Sequence, residues 1–326
     1  MLGEKLYNAH YNLPKPNILV IGDVMLDHYI FGSASRLSPE APVPIVNVKN
    51  ENKIIGGAAN VACNLIDLGA TVSLAGITGD DAFGAEIKEI LQSKNIGAEL
   101  ILKDSSRTTT VKTRVIASNH QIVRIDQEDT HDIAADLEDT FYTALLPAIE
   151  ASDIVILSDY NKGLLTPSLS LRVINACHQL HKKVIVDPKG LDYTKYKGAF
   201  IIKPNRKELA EAAKTDKIHS QADLEAAAKV IFEATGTDYL IVTLSENGIA
   251  IITPSNCTIL PVVANQVYDV TGAGDTVIAT LAYCVGLGFS IEEACTVANY
   301  AASIVIKHIG SATTTIDEIL TELTVK

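Results

Sequence analysis

Tryptophan is absent from the 326 residues, and aromatic residues make up only 5% of them. Stacking platforms for single-stranded nucleic acid are therefore scarce. Positive charge is also short: 27 Lys and Arg face 39 Asp and Glu, for a net charge of -12. Neither nucleic acid nor an anionic membrane is expected as a partner, and an anionic small molecule would need a local basic pocket or a metal ion. The cysteines Cys63, Cys177, Cys257, Cys284 and Cys295 are scattered and lack C-x-x-C pairing. That argues against a disulfide framework or zinc site and for reduced thiols in a cytoplasmic protein. The histidines show no metal spacing, and no basic start followed by an apolar run marks a signal peptide. The longest apolar stretch, 276–289, is too short and too glycine-rich to span a bilayer. No G-x-x-x-x-G-K-[ST] occurs, which excludes a P-loop.

What the chain has is apolar content, 47% of its residues, arranged in alternating strand and helix patterns. Continuous apolar runs predict buried strands at Asn17–Gly22, Thr71–Ile77, Asp153–Leu157, Lys183–Val186, Phe200–Lys203 and Tyr239–Leu244. Helical spacing predicts helices at Ala58–Leu68 (closed by Gly69), from Asp80 or Asp81 to about Ser93, and at Leu137–Glu150 and Thr166–His181. Further helices are expected at Leu209–Ala213, Ala222–Ala234, 272–287 and 291–307. Repeated units of this kind imply an α/β fold, a mostly parallel central sheet with helices on both faces. Two stretches break the rhythm. Phe31–Val48 carries Pro39, Pro42 and Pro44, which exclude regular helix. Thr108–Asp126 reads as a hairpin turning at Ser118-Asn119, with Val111, Thr113 and Val115 on one face and Thr110, Lys112, Arg114 and Ile116 on the other. A small β lid beside the large sheet is expected, from segments of about 28–50 and 105–126.

The most informative stretch is Asp269-Val270-Thr271-Gly272-Ala273-Gly274-Asp275, which runs into the apolar segment Thr276 to Leu287. Its glycines let the backbone turn tightly and present successive N–H groups to an anion. The helix that follows adds its partially positive end. A carboxylate, Asp275, among those amides repels a bound phosphate, which makes sense if it takes a proton from a hydroxyl nucleophile. The pattern points to phosphoryl transfer to an alcohol. On the residues alone a plainer alternative stays open, because Asp in a first helical turn is favoured as a cap or dipole partner. Gly272 and Gly274 have no third glycine at Val277, so the dinucleotide fingerprint of an oxidoreductase is not met.

Other motifs fall into one order with this stretch: Gly56-Gly57-Ala58-Ala59-Asn60, Leu68-Gly69-Ala70, Gly79-Asp80-Asp81-Ala82-Phe83-Gly84 and Asn205-Arg206-Lys207-Glu208. Together they resemble the ribokinase-like (PfkB) family of carbohydrate kinases over nearly the whole length. Within it, Gly22-Asp23-Val24-Met25-Leu26-Asp27, the Ser38–Pro44 segment, Ser158-Asp159-Tyr160-Asn161-Lys162-Gly163 and Asp187-Pro188-Lys189-Gly190 look like kinases acting on D-glycero-β-D-manno-heptose 7-phosphate at its anomeric position. Such kinases serve ADP-heptose synthesis for lipopolysaccharide. They are often fused to a nucleotidyltransferase, for which 1–326, read as one kinase domain, shows no H-x-G-H motif.

The resemblance implies roles. Asp275 matches the catalytic base, and the amides of Gly272, Ala273 and Gly274 the anion hole. Asp27, and more weakly Asp23, match the carboxylate that holds sugar hydroxyls, with Gly56, Gly57 and Asn60 beside it. Asn205, Glu208, Thr243, Ser245, Gly248 and Asn299 match positions around ATP, Glu208 steering Mg²⁺ through water. Asp269 and Thr271 match a K⁺ site of relatives. The substrate phosphate needs cations, with Arg36, Lys112, Arg114, Lys162 and Lys189 as candidates, although surface lysines are usually just solvated. A homodimer through the lid is expected by the same likeness. The alternatives are another sugar or nucleoside kinase of the family, or a catalytically silent sugar-binding regulator on the same fold.

Overall fold

A computed structural model describes residues 1–118, 120–263, 267–308 and 310–324. Its strands are β1 Asn17–Gly22, β2 Val24–Leu37, β3 Pro44–Gly57, β4 Thr71–Gly79, β5 Gly97–Asp104, β6 Val111–Ala117, β7 His120–Gln127, β8 Ile154–Ser158, β9 Lys183–Asp187, β10 Ile201–Ile202, β11 Tyr239–Thr243, β12 Ile249–Thr253 and β13 Asn256–Leu260. They form two sheets, of nine strands in the order β13-β12-β11-β10-β9-β8-β1-β4-β5 and of four in the order β3-β2-β6-β7. In the larger sheet β5, β4, β1, β8, β9, β10 and β11 run parallel, and β12 and β13 close one edge antiparallel.

The parallel strands read as unbroken apolar runs because both faces are covered. Along β8, Ile156 enters one core with Leu281 and Ala62, while Val155 and Leu157 enter the other with Phe141 and Val173. Helices Ala58–Asp67, Ala273–Gly286 and Ile291–Val305 lie on the first side, and Ala135–Ala151 and Pro167–Gln179 on the second. The expected mostly parallel α/β sheet is therefore present, with element ends moved by a few residues.

Several elements were not read from the sequence: the helices Leu2–Asn12 and Ile316–Thr324, strand β5, and the β12–β13 hairpin. The Phe31–Val48 stretch is free of helix, as its prolines implied, and is β structure. It is the outer half of the hairpin formed by β2 and β3, whose pairing runs from Val24↔Gly57 to Leu37↔Pro44. Pro44 sits at the start of its strand, where a missing N–H is tolerated. The second expected hairpin is β6–β7. Ser118 has a φ of 51°, and Asn119, its expected turn partner, lies outside the described residues. β6 joins β2 in parallel, setting Lys112 beside Asp27 and Arg114 beside Tyr29 in the ladder.

Candidate active site

Most of the residues singled out from the sequence, and several that were not, collect where the parallel strands end. Asp23 follows β1, Asp159 and Tyr160 follow β8, Asp187 closes β9, Lys203 follows β10 and Thr243 closes β11. Open α/β sheets place ligands at these carboxyl ends. A cavity of about 560 Å³ lies there, lined by Gly272, Ala273, Gly274 and Asp275 together with Asn205, Glu208, Thr243, Ser245, Gly248 and Asn299. Its size suits a small-molecule site.

Asp275 stands in the first turn of the helix Ala273–Gly286 and is buried. Tyr160 O–H donates to its Oδ1 at 2.7 Å, and Asn60 Nδ2 donates to its Oδ2 at 2.6 Å. Burial pushes its pKa above the ordinary carboxylate value, outweighing the hydrogen bonds from Tyr160 and Asn60 and the attraction of Lys203. Gly272 caps the helix at a φ of 78°, which favours glycine. The first amides of a helix lack intrahelical acceptors. One of the three expected donors is already used, since Ala273 N–H donates to Val270 O at 3.2 Å. Beside the loop, Lys203 reaches Asp187 at 2.9 Å, the lysine almost wholly buried. Burial, countered by Lys203 and reinforced by the charge of Asp275, pushes the Asp187 carboxyl up to about 6.

Asn60 was expected to face a sugar, yet its amide nitrogen is committed to Asp275. A buried network continues from it: Asn64 Nδ2 donates to Asn60 O at 2.9 Å, and Thr276 Oγ1 donates to Asn64 Oδ1 at 2.8 Å. Two apolar helices are thereby locked in register at the site. Asp27 is buried at the base of β2 and pairs with Arg114 Nη1. Gly56 is what leaves it room: a Cβ there would stand 2.4 Å from Asp27 Oδ2. Asp23 departs from its expected role on the sugar side. Its Oδ2 accepts the N–H groups of Tyr160 at 2.8 Å and Lys162 at 3.2 Å, so it ties β1 to the loop after β8. Burial, reinforced by the charge of Asp159, pushes its pKa up to about 6.

The structure sorts the five candidate cations. Lys112 lies 3.0 Å from Glu128 Oε2, and Lys162 lies 2.7 Å from Oε1 of the same side chain, so both converge on Glu128 near Arg114. Lys189 is set apart: it pairs with Glu208 and lines the cavity with the residues expected around nucleotide. Arg36 is exposed opposite Ile45 near the hairpin end. From Asp27 to Arg36 an extended strand covers about 30 Å, so the fold does not bring Arg36 to the others.

Among the residues expected around nucleotide, Asn205 and Glu208 form a reciprocal capping box, 2.9 Å and 2.8 Å long. Asn299 Nδ2 donates to Pro261 O at 2.6 Å. Asp269 accepts from Thr271 N–H at 2.9 Å, Thr271 Oγ1 at 2.7 Å and Gly310 N–H at 2.8 Å. Burial raises its pKa, but these bonds prevail and hold it below the ordinary range. Three residues at the site carried no role in the sequence reading: Tyr160, Asp187 and Lys203. A lysine ending the apolar run Phe200-Ile201-Ile202 was the available signal for the last.

The model of the pfkB family carbohydrate kinases matches residues 15–318. This chain belongs to that family. The bifunctional protein HldE of Aliarcobacter butzleri is 47% identical over 305 residues, covering 94% of this chain and 64% of the relative. HldE of Helicobacter pylori is 46% identical over 302 residues, covering 93% and 65%. The chain thus spans just under two thirds of the length of these relatives. Among solved structures, Arabidopsis thaliana ribokinase with ribose and ATP is similar with a TM-score of 0.75 at 22% identity, covering 95% of this chain and 99% of the other. Phosphofructokinase-2 from Escherichia coli with potassium is similar with a TM-score of 0.79 at 17% identity, covering 95% and 99%. The ribokinase-like fold is thereby shown. Among the described residues no helix is long and apolar enough to cross a membrane.

Proposed function

We propose that this chain transfers the γ-phosphoryl group of ATP to the anomeric hydroxyl of D-glycero-β-D-manno-heptose 7-phosphate, giving the 1,7-bisphosphate and ADP. The observation that carries the phosphotransfer reading is Asp275. It is a buried carboxylate aimed by two donors, at a helix N-terminus, in one cavity with a set of residues suited to nucleotide. In this reading the sugar O–H gives its proton to Asp275 as its oxygen bonds to the γ-phosphorus. The bond between that phosphorus and the bridging oxygen breaks, and ADP leaves. Gly272 and Gly274 amides and Lys203 stabilise charge on the transferring group. Asp27, given room by Gly56, holds its hydroxyls, and Gly57 keeps the backbone open beside Asp23 and Met25.

The cavity lining suits ATP: it holds Lys189, Lys203 and the Gly272–Gly274 loop, together with the apolar side chains of Ile249, Val262, Val277 and Ile306. Mg²⁺ would be held mainly by phosphates and water, with the Glu208 carboxylate in the cavity lining as the oxygen group suited to a hydrated hard cation. Glu208 would hold it through water, and when bound it neutralises phosphate charge. Lys189 moves to this side, and Asn205, Thr243, Ser245, Gly248 and Asn299 frame the nucleotide. A K⁺ ion beside Asp269 and Thr271 would rely on loop carbonyls, since the carboxylate is engaged with Thr271 and Gly310. Lys112, Arg114 and Lys162 receive the substrate phosphate, with Glu128 standing between the two lysines before it arrives.

The four-stranded sheet acts as the lid. Its outer residues Ile122, Val123 and Ile125 are exposed apolar side chains, which supports pairing with a second copy through the lid. The catalytic part of the reading is tested by offering ATP and Mg²⁺ with a panel of heptose, hexose and pentose phosphates and following ADP release. Turnover on heptose 7-phosphate is expected. Turnover on ribose with none on heptose 7-phosphate would reject the sugar and keep the kinase.

A further inference from the structure

Asp275 is gripped by donors from two unrelated elements. Asn60 comes from the first turn of the helix Ala58–Asp67, and Tyr160 from the loop after β8. That loop is itself fixed. The N–H groups of Tyr160 and Lys162 donate to Asp23, and Arg107 Nη1 donates to Lys162 O at 2.8 Å. The Tyr160 hydroxyl stays protonated, since burial, and then the charge of Asp275, push its pKa well above the ordinary value. It therefore acts toward Asp275 as a donor.

Resting on the reading of Asp275 as the base, we propose that Tyr160 is its positioning residue: the hydroxyl aims the carboxylate and keeps it ionised in a site whose burial favours the neutral acid. Each carboxylate oxygen can accept a second hydrogen bond, so a sugar hydroxyl can approach without displacing Tyr160. The other groups bearing on Asp275 are Lys203 from the end of β10, which favours its charged form, and Asp27 from β2, which opposes it. Asp187 from β9 interacts with it as well. None of these substitutes for Tyr160, because none is hydrogen-bonded to Asp275.

A donor to the charged form lowers a carboxyl pKa, and its loss raises it. Tyr160→Phe keeps the ring and removes the donor. The acid limb of the pH profile of kcat/KM should therefore move to higher pH by roughly one unit. The rate above that limb should stay within about tenfold of the unaltered enzyme. Ionisation of ATP and of the sugar phosphate is common to both enzymes, so the difference between the profiles isolates the protein. 3-Fluorotyrosine at position 160, a stronger donor of nearly the same size, should move the limb the opposite way and covers the case in which the Phe variant does not fold. Asp275→Asn is measured alongside. An inactive Asp275→Asn with unmoved limbs in both position-160 variants overturns the role of Tyr160 and leaves the base in place. A raised KM with an unmoved limb makes Tyr160 a substrate contact and also overturns it. Near-normal turnover of Asp275→Asn removes the base and this inference with it.

Discussion

Every residue of β8 is buried, whereas every residue of β7 is exposed. The two strands belong to the two sheets that meet at the candidate site, and they are stabilised differently. β8 has an apolar core on each face. β7 is paired along one edge to β6, and its neighbourhood is cross-linked by charges: Arg124 to Asp126, Lys112 to Asp126 and Glu128, Lys162 to Glu128. Partly exposed ion pairs contribute little, about 0–1 kcal/mol each. The large sheet is thus a rigid floor. The small one has no apolar core on the β7 side.

The sharpest break between the regions is chemical. Asp275→Asn, on the floor, should lower turnover by about 10²–10⁴-fold with nucleotide binding largely kept, measured by steady-state kinetics and titration calorimetry. Near-normal turnover would take the chemistry away from the floor. Next is packing. Ile156→Ala in β8 should cost about 2–5 kcal/mol, read by denaturant unfolding, because Ile156 is fully buried.

The joint between the regions responds to pH. In the folded chain the Asp23 carboxyl is pushed up to about 6 from 3.8, so the folded state holds this proton more tightly than the unfolded chain. The associated stability is present below pH 3.8 and lost as pH rises through 6. Asn at position 23 keeps an oxygen for the amides of Tyr160 and Lys162 and does not ionise. Between about pH 4 and 6 the stability difference should shift toward Asp23→Asn by on the order of 2 kcal/mol, then level off. A difference that stays flat over this range would show that Asp23 does not titrate there.

The smallest effect is expected on the lid. Ile125 is 56% exposed, and Ile125→Ala should change stability by no more than about 0.5 kcal/mol in dilute protein. A loss comparable to that of Ile156→Ala would mean that this face is covered in solution by a second copy, which sedimentation of both proteins would reveal.

Legibility in the sequence follows the same division. β1, β8 and β11 were readable because doubly covered strands are unbroken apolar runs. The β2–β3 hairpin was legible only as a β segment of about 28–50, and its strand ends and pairing were not, because its outer half is partly exposed and carries three prolines around its turn, leaving no alternation to follow. β12 and β13 are five-residue strands at an edge, too short to stand out. At the site, Asp275 and the glycines before it were legible as a loop running into a helix. Asn205 and Glu208 were legible as a motif of the resemblance, and the capping box they form came from the structure. Tyr160 and Lys203 were not assigned roles, since a tyrosine in a loop and a lysine after a strand have many uses.

By itself the chain determined its succession of strands and helices and the loops that carry polar residues, because burial patterns and turn chemistry are local. Only the tertiary structure decided which side chains meet. Asn60 reaches Asp275 across 215 residues of sequence, Lys189 pairs with Glu208 instead of joining Lys112 and Lys162, and Arg36 ends far along its strand. Hydrogen bonds and ion pairs form only within about 3 Å and at restricted angles. Their partners are fixed by how sheets and helices stack, and no stretch of sequence holds that information alone.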